Sequence, residues 1–202
     1  MSNIIDSSVA ATRRSFLNAA GRLTLSASAI AILAGCDTMA KPSIAAQPME
    51  SSASQDVAIL NVALGLENEA IGAYQLGAES GLLQKPVLDT AVRFQSDHKG
   101  HRDALVGTIQ KLGGKPVEPK SMGEYAKALK ADTLKSQTDV LELAVRLELG
   151  ATNAYLGVIP AFKDAQLAKI SGRLAADEAM HWTILNNALG RPLAQGALPF
   201  GA

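Results

Sequence analysis

Residues 174–185 read Leu-Ala-Ala-Asp-Glu-Ala-Met-His-Trp-Thr-Ile-Leu. Wound as a helix, this stretch places Leu174, Glu178, His181 and Leu185 on one face, because residues three and four apart are neighbours. Two metal-ligating side chains therefore lie between two large apolar ones. Residues 94–105 repeat the arrangement with Phe94, His98, His101 and Leu105. Such a stripe is the buried seam of a helix, and an ionised carboxylate left there without a partner costs several kcal/mol. Glu178 thus calls for a cation or a strong donor from a facing helix.

Working outward, the spacing predicts four long helices. The first runs from Asp56 to about Ser80, with Leu60, Ala63, Leu64, Ala70, Ile71 and Tyr74 at helical spacing and Gly81 as its stop. The second runs from Pro86 to Leu112 and ends at Gly113-Gly114 and Pro116. The third spans Ser136 to Ile159, stopped by Pro160. The fourth spans Asp164 to Leu189, stopped by Gly190 and Pro192. Short links join the first pair and the last pair, so each pair reads as an antiparallel hairpin. The connection from Gly113 to Lys135 is much longer and carries at most a short helix near Tyr125–Lys130. Residues 191–202 read as an irregular tail.

The two hairpins match at their polar positions. Leu64, Glu67, Ile71 and Tyr74 on the first helix correspond to Val145, Glu148, Thr152 and Tyr155 on the third. Each glutamate is followed two turns later by a tyrosine. Six groups converge on this reading: Glu67, His98, His101, Glu148, Glu178 and His181. No lysine or arginine shares their faces, so one or two divalent cations would neutralise them. The chain has three histidines, and all three fall on these stripes. Asp97 is the alternative to His98 as a ligand, since it stands one turn before His101, although it aligns with Arg93 and Gly100. Tyr74 and Tyr155 read as core rings whose hydroxyls bond buried carboxylates. Glu69, Glu79 and Glu142 lie off the stripes and read as solvated, and Trp182 reads as packing away from the seam.

On these residues the chain resembles the ferritin-like superfamily of di-iron and di-manganese carboxylate proteins. More narrowly, it is similar to the exported bacterial ferritin-like domain family related to plant desiccation-related proteins. The superfamily pattern is one Glu from each of two helices and Glu-x-x-His from each of the other two. Glu178-Ala179-Met180-His181 fits it, as do Glu67 and Glu148; His98-Lys99-Gly100-His101 departs from it by putting histidine where glutamate is usual. The resemblance covers roughly residues 56–190. It implies an all-α, antiparallel four-helix bundle of two hairpins joined by a long crossover, holding two metal ions. Fe or Mn are the favoured ions on that resemblance, while three imidazoles and three carboxylates suit Zn or Cu more than the usual set does.

The N-terminus reads as an address. Thr12-Arg13-Arg14-Ser15-Phe16-Leu17 resembles a twin-arginine export signal. The mildly apolar stretch behind it, broken by Gly21, Arg22, Thr24, Ser26 and Ser28, is too short and too polar to span a membrane, which takes about 20 apolar residues. Leu33-Ala34-Gly35-Cys36 resembles a bacterial lipobox. Residues 1–35 are then a signal peptide, and Cys36 the lipidated first residue of the mature chain. Residues 36–55 would form a flexible tether of roughly 25 Å reach, ahead of a bundle at 56–190. The partners implied are the export machinery and the membrane, on the periplasmic side of the inner membrane given Asp37 after the cysteine. A single cysteine excludes an intrachain disulfide.

Composition agrees with close-packed helices: 48% hydrophobic but only 4% aromatic residues. Removing residues 1–35 takes away three arginines and one aspartate, leaving 16 basic and 18 acidic residues, with no cluster suited to nucleic acid. The leading expectation is a di-metal oxidoreductase of ferroxidase or catalase-like type. The alternative is a non-catalytic envelope stress or structural protein whose metal or polar network only fixes the bundle. A homodimer is compatible with either; a soluble storage shell is hard to reconcile with a lipid on every N-terminus.

Overall fold

The computed structural model describes residues 52–201. Arg13, Arg14, Cys36 and nearly all of the expected tether lie outside them. Among the described residues there are five α-helices and no strand: α1 (Ser52–Glu79), α2 (Lys85–Lys111), α3 (Met122–Ala128), α4 (Gln137–Val158) and α5 (Ala165–Ala188). None is long and apolar enough to cross a membrane. Helix α1 packs chiefly against α2 and α4 against α5, while α1 also meets α4. The architecture is the expected all-α bundle of two hairpins.

The helix ends follow from local chemistry. Gly113 and Gly190 adopt φ of 76° and 69°, a left-handed conformation that costs glycine little. Each closes a Schellman end: Gly114 N–H donates to Ile109 O and Arg191 N–H to Asn186 O, both at 2.9 Å. Ser136 caps α4 by accepting from Asp139 N, and Asp164 caps α5 by accepting from Gln166 N. Two boundaries differ from expectation. Helix α1 already includes Ser52–Gln55, since no breaker stands between Pro48 and Asp56. Helix α3 begins at Met122 rather than near Tyr125, because Ser121 and Glu124 form a capping box there.

The long crossover is docked, not loose. Tyr125 of α3 and Leu129 just after it are buried with Ala73 of α1 and Leu143 of α4. Tyr125 lies so close to Gly72 that a β-carbon there would stand 2.8 Å from the ring. Asn61 holds the approach to α3, donating to Lys115 O at 3.0 Å and accepting from Val117 N at 2.7 Å.

The main core has two apolar layers. One contains Leu60, Leu64, Leu105, Ile109, Tyr155, Leu167 and Leu174. The other contains Tyr74, Ala91, Phe94, Leu141, Val145 and Leu185. Full burial of each large aliphatic side chain contributes roughly 1.5–3 kcal/mol. Along α1 the order is Leu64, Glu67, Tyr74, and along α5 it is Leu174, Glu178, His181, Leu185, so the polar stripe lies between the layers. The C-terminal tail carries no helix or strand among the described residues, yet it is anchored. Phe200 packs edge-on against Trp182, and Gly201 N–H donates to Asn153 Oδ1 at 2.8 Å. Glu142 is half-buried and paired with Arg191 of the tail rather than freely solvated, because the Schellman turn brings that arginine back over α4.

Candidate metal centre

Four helices deliver the six side chains to one place. Glu67 comes from α1, His98 and His101 from α2, Glu148 from α4, and Glu178 and His181 from α5. All are buried, with Glu178 at 0% exposure and His101 at 9%. Among the described residues no lysine or arginine forms an ion pair with any of them. The charges are balanced by the imidazoles instead.

His98 is at the centre. Its Nδ1 lies 2.8 Å from Glu67 Oε2 and 3.7 Å from Glu178 Oε1, while Nε2 lies 3.2 Å from Glu148 Oε1. His101 Nδ1 stands 3.1 Å from Glu178 Oε1 and 3.6 Å from Glu67 Oε2. His181 Nδ1 stands 3.2 Å from Glu178 Oε2 and 3.6 Å from Glu148 Oε2. The two oxygens of Glu178 therefore face opposite histidines.

Each lone glutamate is held from behind. Tyr155 Oη donates to Glu67 Oε1, and Tyr74 Oη donates to Glu148 Oε1. Burial, together with the facing carboxylates, pushes both phenols well above their usual range, so they remain donors. Burial alone would raise Glu67, but its contacts with His101 and His98 outweigh this and take it down to about 2. Glu148 is lowered in the same way by His181 and His98, against the effect of burial. Glu178 is raised, because for it burial wins over His101 and His181. Burial likewise works against the imidazolium forms. Contacts with Glu148 and Glu67 nevertheless lift His98 to about 11, those with Glu178 and Glu67 lift His101 to about 10, and those with Glu148 and Glu178 lift His181 to about 9.

Asp97 does not enter the centre. It pairs with Arg93 at 2.8 Å and approaches His181 Nε2, across the bundle, at 3.5 Å. The sequence reading missed its counterpart, Asp177, whose Oδ2 lies 3.2 Å from His101 Nε2. The hairpin repeat carried the signal: Asp97 immediately precedes His98, and Asp177 immediately precedes Glu178. A carboxylate at Nε2 holds the proton there and leaves Nδ1 aimed inward, as outer partners of metal-bound histidine do.

The donor set suits a metal ion. Glu67, His98, His101 and Glu178 form one group that could hold an ion, and His98, Glu148, Glu178 and His181 another, with ligand atoms within 4.8 Å of one another in each. Moreover, His101 Nδ1, Glu148 Oε2 and Glu178 Oε1 are buried with no hydrogen-bond partner. His101 Nδ1 and Glu178 Oε1 are only 3.1 Å apart, close enough for an ion pair but without hydrogen-bond geometry. Buried polar atoms are nearly always satisfied, so three orphans in one cluster mark it as built for another occupant.

Solved structures share this fold. A conserved hypothetical protein from Mycobacterium tuberculosis is 23% identical with a TM-score of 0.60, covering 74% of this chain and 100% of its own. A dodecameric thioferritin, the bacterioferritin-related protein of Bacteroides fragilis, is 21% identical with a TM-score of 0.58, covering 68% of this chain and 86% of its own. Among curated proteins none matches. The family model described as "Ferritin-like domain" matches residues 55–191, spanning all four bundle helices and the six converging residues. The chain belongs to the ferritin-like domain family.

Proposed function

We propose that this protein is a lipid-anchored envelope metalloprotein of the exported ferritin-like type, whose buried centre holds two divalent ions for redox chemistry. The observation that carries the metal reading is the pair of overlapping four-residue groups with three orphaned ligand atoms at their meeting point. Glu67, His98, His101, Glu148, Glu178 and His181 would hold the ions. Bound Fe or Mn would supply electron transfer to dioxygen or peroxide, or from ferrous iron; Zn or Cu are the other ions this donor set suits. The residues around them have separable tasks. Tyr74 and Tyr155 fix one oxygen of each lone glutamate. Asp177 holds the proton on the outer nitrogen of His101 through a hydrogen bond, and Asp97 stands beside the outer nitrogen of His181. The two apolar layers exclude water, which strengthens every charge interaction between them.

The location rests on Arg13-Arg14, the apolar stretch and Cys36. The twin-arginine route would deliver the chain to the periplasmic face of the inner membrane, and lipid on Cys36 would hold it there. Each buried lipid methylene contributes about 0.8 kcal/mol to such an anchor.

A second reading has its own support. Three carboxylates facing three raised imidazoles reach charge balance without metal, so the network could serve only to fix the bundle. Elemental analysis of the exported full chain, beside Glu178→Ala, separates the two, followed by dioxygen and peroxide challenge watched by absorption. The metal reading expects stoichiometric metal in wild type and a loss in the variant, with a spectral response to oxidant. Equal metal content in both would show the site assignment to be wrong. Metal without any response to oxidant would leave the centre structural.

A further inference from the structure

His98 is the one residue whose two ring nitrogens face different halves of the centre. Nδ1 belongs with Glu67 Oε2, at 2.8 Å, and with Glu178 Oε1, at 3.7 Å. Nε2 belongs with Glu148 Oε1, at 3.2 Å, on the other side of the ring. His101 and His181 differ from it, since each turns only Nδ1 inward and gives Nε2 to an aspartate outside. His98 is 1% exposed and has no such outer partner; both of its nitrogens are spent on the centre. It is also one of the two residues shared by both potential metal groups, the other being Glu178, whose Oε1 and Oε2 split the same way.

The halves offer the same types of donor. One offers Glu67 Oε2, His98 Nδ1, His101 Nδ1 and Glu178 Oε1. The other offers Glu148, His98 Nε2, His181 Nδ1 and Glu178 Oε2. Each is a set of two nitrogens and two oxygens, enough for a four-coordinate ion of the kind that imidazole suits.

We propose that His98 is a bridging ligand, its ring linking two four-donor metal sites through Nδ1 and Nε2 where a carboxylate would otherwise stand. Each nitrogen gives its lone pair to one ion, and one ring proton passes to solvent as each metal–nitrogen bond forms. No oxidation state changes. The spacing follows from the ring: with metal–nitrogen bonds of about 2.0–2.1 Å pointing away from each other, the ions lie on the order of 6 Å apart. Two-metal sites of the usual kind hold their ions about 3.5–4 Å apart. The centre would thus be an open, imidazole-bridged pair, matched to Cu or Zn rather than to a tight di-iron core.

This inference rests on the metal-binding reading above, and the test separates the two. The full chain is loaded with Cu(II), its copper counted by elemental analysis, and its paramagnetic resonance signal integrated. The expected result is two copper ions per chain, with signal intensity well below that of two isolated ions because the ring couples them. In His98→Gln, which leaves a single-ended polar side chain, the remaining copper should recover full intensity per ion. Should that variant fail to fold by far-UV circular dichroism, His98→Asn, which also offers only one donor end, is compared in the same way. A wild type with one ion, or with two uncoupled ions, overturns the bridge while leaving metal binding intact. Unchanged coupling in the variant also overturns it, assigning the coupling to Glu178 alone. A wild type that takes up no copper, zinc, iron or manganese overturns the metal reading itself.

Discussion

Tyr155→Phe isolates one hydrogen bond of the centre. The phenol is buried and donates to Glu67 Oε1, while Oε2 of the same carboxylate faces His98 and His101. The substitution keeps the ring, which packs in the core layer with Leu64 and Leu174, so no cavity follows. What is lost is a hydrogen bond to a charged group, worth about 1.5–3 kcal/mol, and Glu67 Oε1 is left unsatisfied. In a domain of this size, each kcal/mol moves Tm by about 2–4 °C. The metal-free variant should therefore melt about 3–12 °C below wild type. With Oε1 released, the carboxylate can rotate away from His98, and outer partners of this kind are typically worth 10–100-fold in metal affinity. Calorimetric melting of the metal-free chain and a competitive chelator titration of the loaded chain measure the two effects. A variant within 1 °C of wild type (well inside the ~3–12 °C expected), with unchanged metal affinity, would refute the claim that the phenol orders Glu67.

Further outcomes follow from the same geometry. Metal-free stability should peak between the ordinary carboxylate and imidazole values, about pH 4.5–6.5. The raised His98, His101 and His181 contribute fully below 6.5 and lose that contribution as pH climbs through about 11, 10 and 9 respectively; Glu178, also raised, acts in the same direction. The lowered Glu67 and Glu148 contribute above 4.5 and lose it on acidification, Glu67 through about 2. Metal affinity should rise with pH over the same alkaline range, since metal displaces the imidazole protons; urea melts with and without metal across pH check both trends. Asp177→Asn should weaken metal binding by about 10–100-fold while leaving the urea midpoint nearly unchanged, because Asp177 is partly exposed. Gly72→Ala should cost about 1–3 kcal/mol by overpacking against Tyr125, read by urea unfolding.

The parts of the structure that repeat in the sequence were the legible ones. Helical spacing located α1, α2, α4 and α5 to within a few residues, and the matched stripes of the two hairpins named all six converging side chains. Periodicity carries that information because it encodes which face is buried. The aspartates behind the histidines were harder. Asp97 was seen only as a neighbour of His101 on its own helix, whereas it approaches His181 on another, a relation set by how α2 faces α5. Asp177 shows the same limit, although its place beside Glu178 repeats that of Asp97 beside His98. The crossover and tail were the least legible. Asn61 binding Lys115 and Val117, Tyr125 resting on Gly72, and Arg191 reaching Glu142 are single contacts between distant segments, and no local pattern announces them.

The central claim is that six buried side chains form a two-metal centre, and metal stoichiometry tests it most directly. The full chain, prepared from its exported form and freed of loosely held ions, should carry two divalent ions, falling in Glu178→Ala. A wild type that carries none, and takes none up when offered iron, manganese, zinc and copper in turn, would contradict the account.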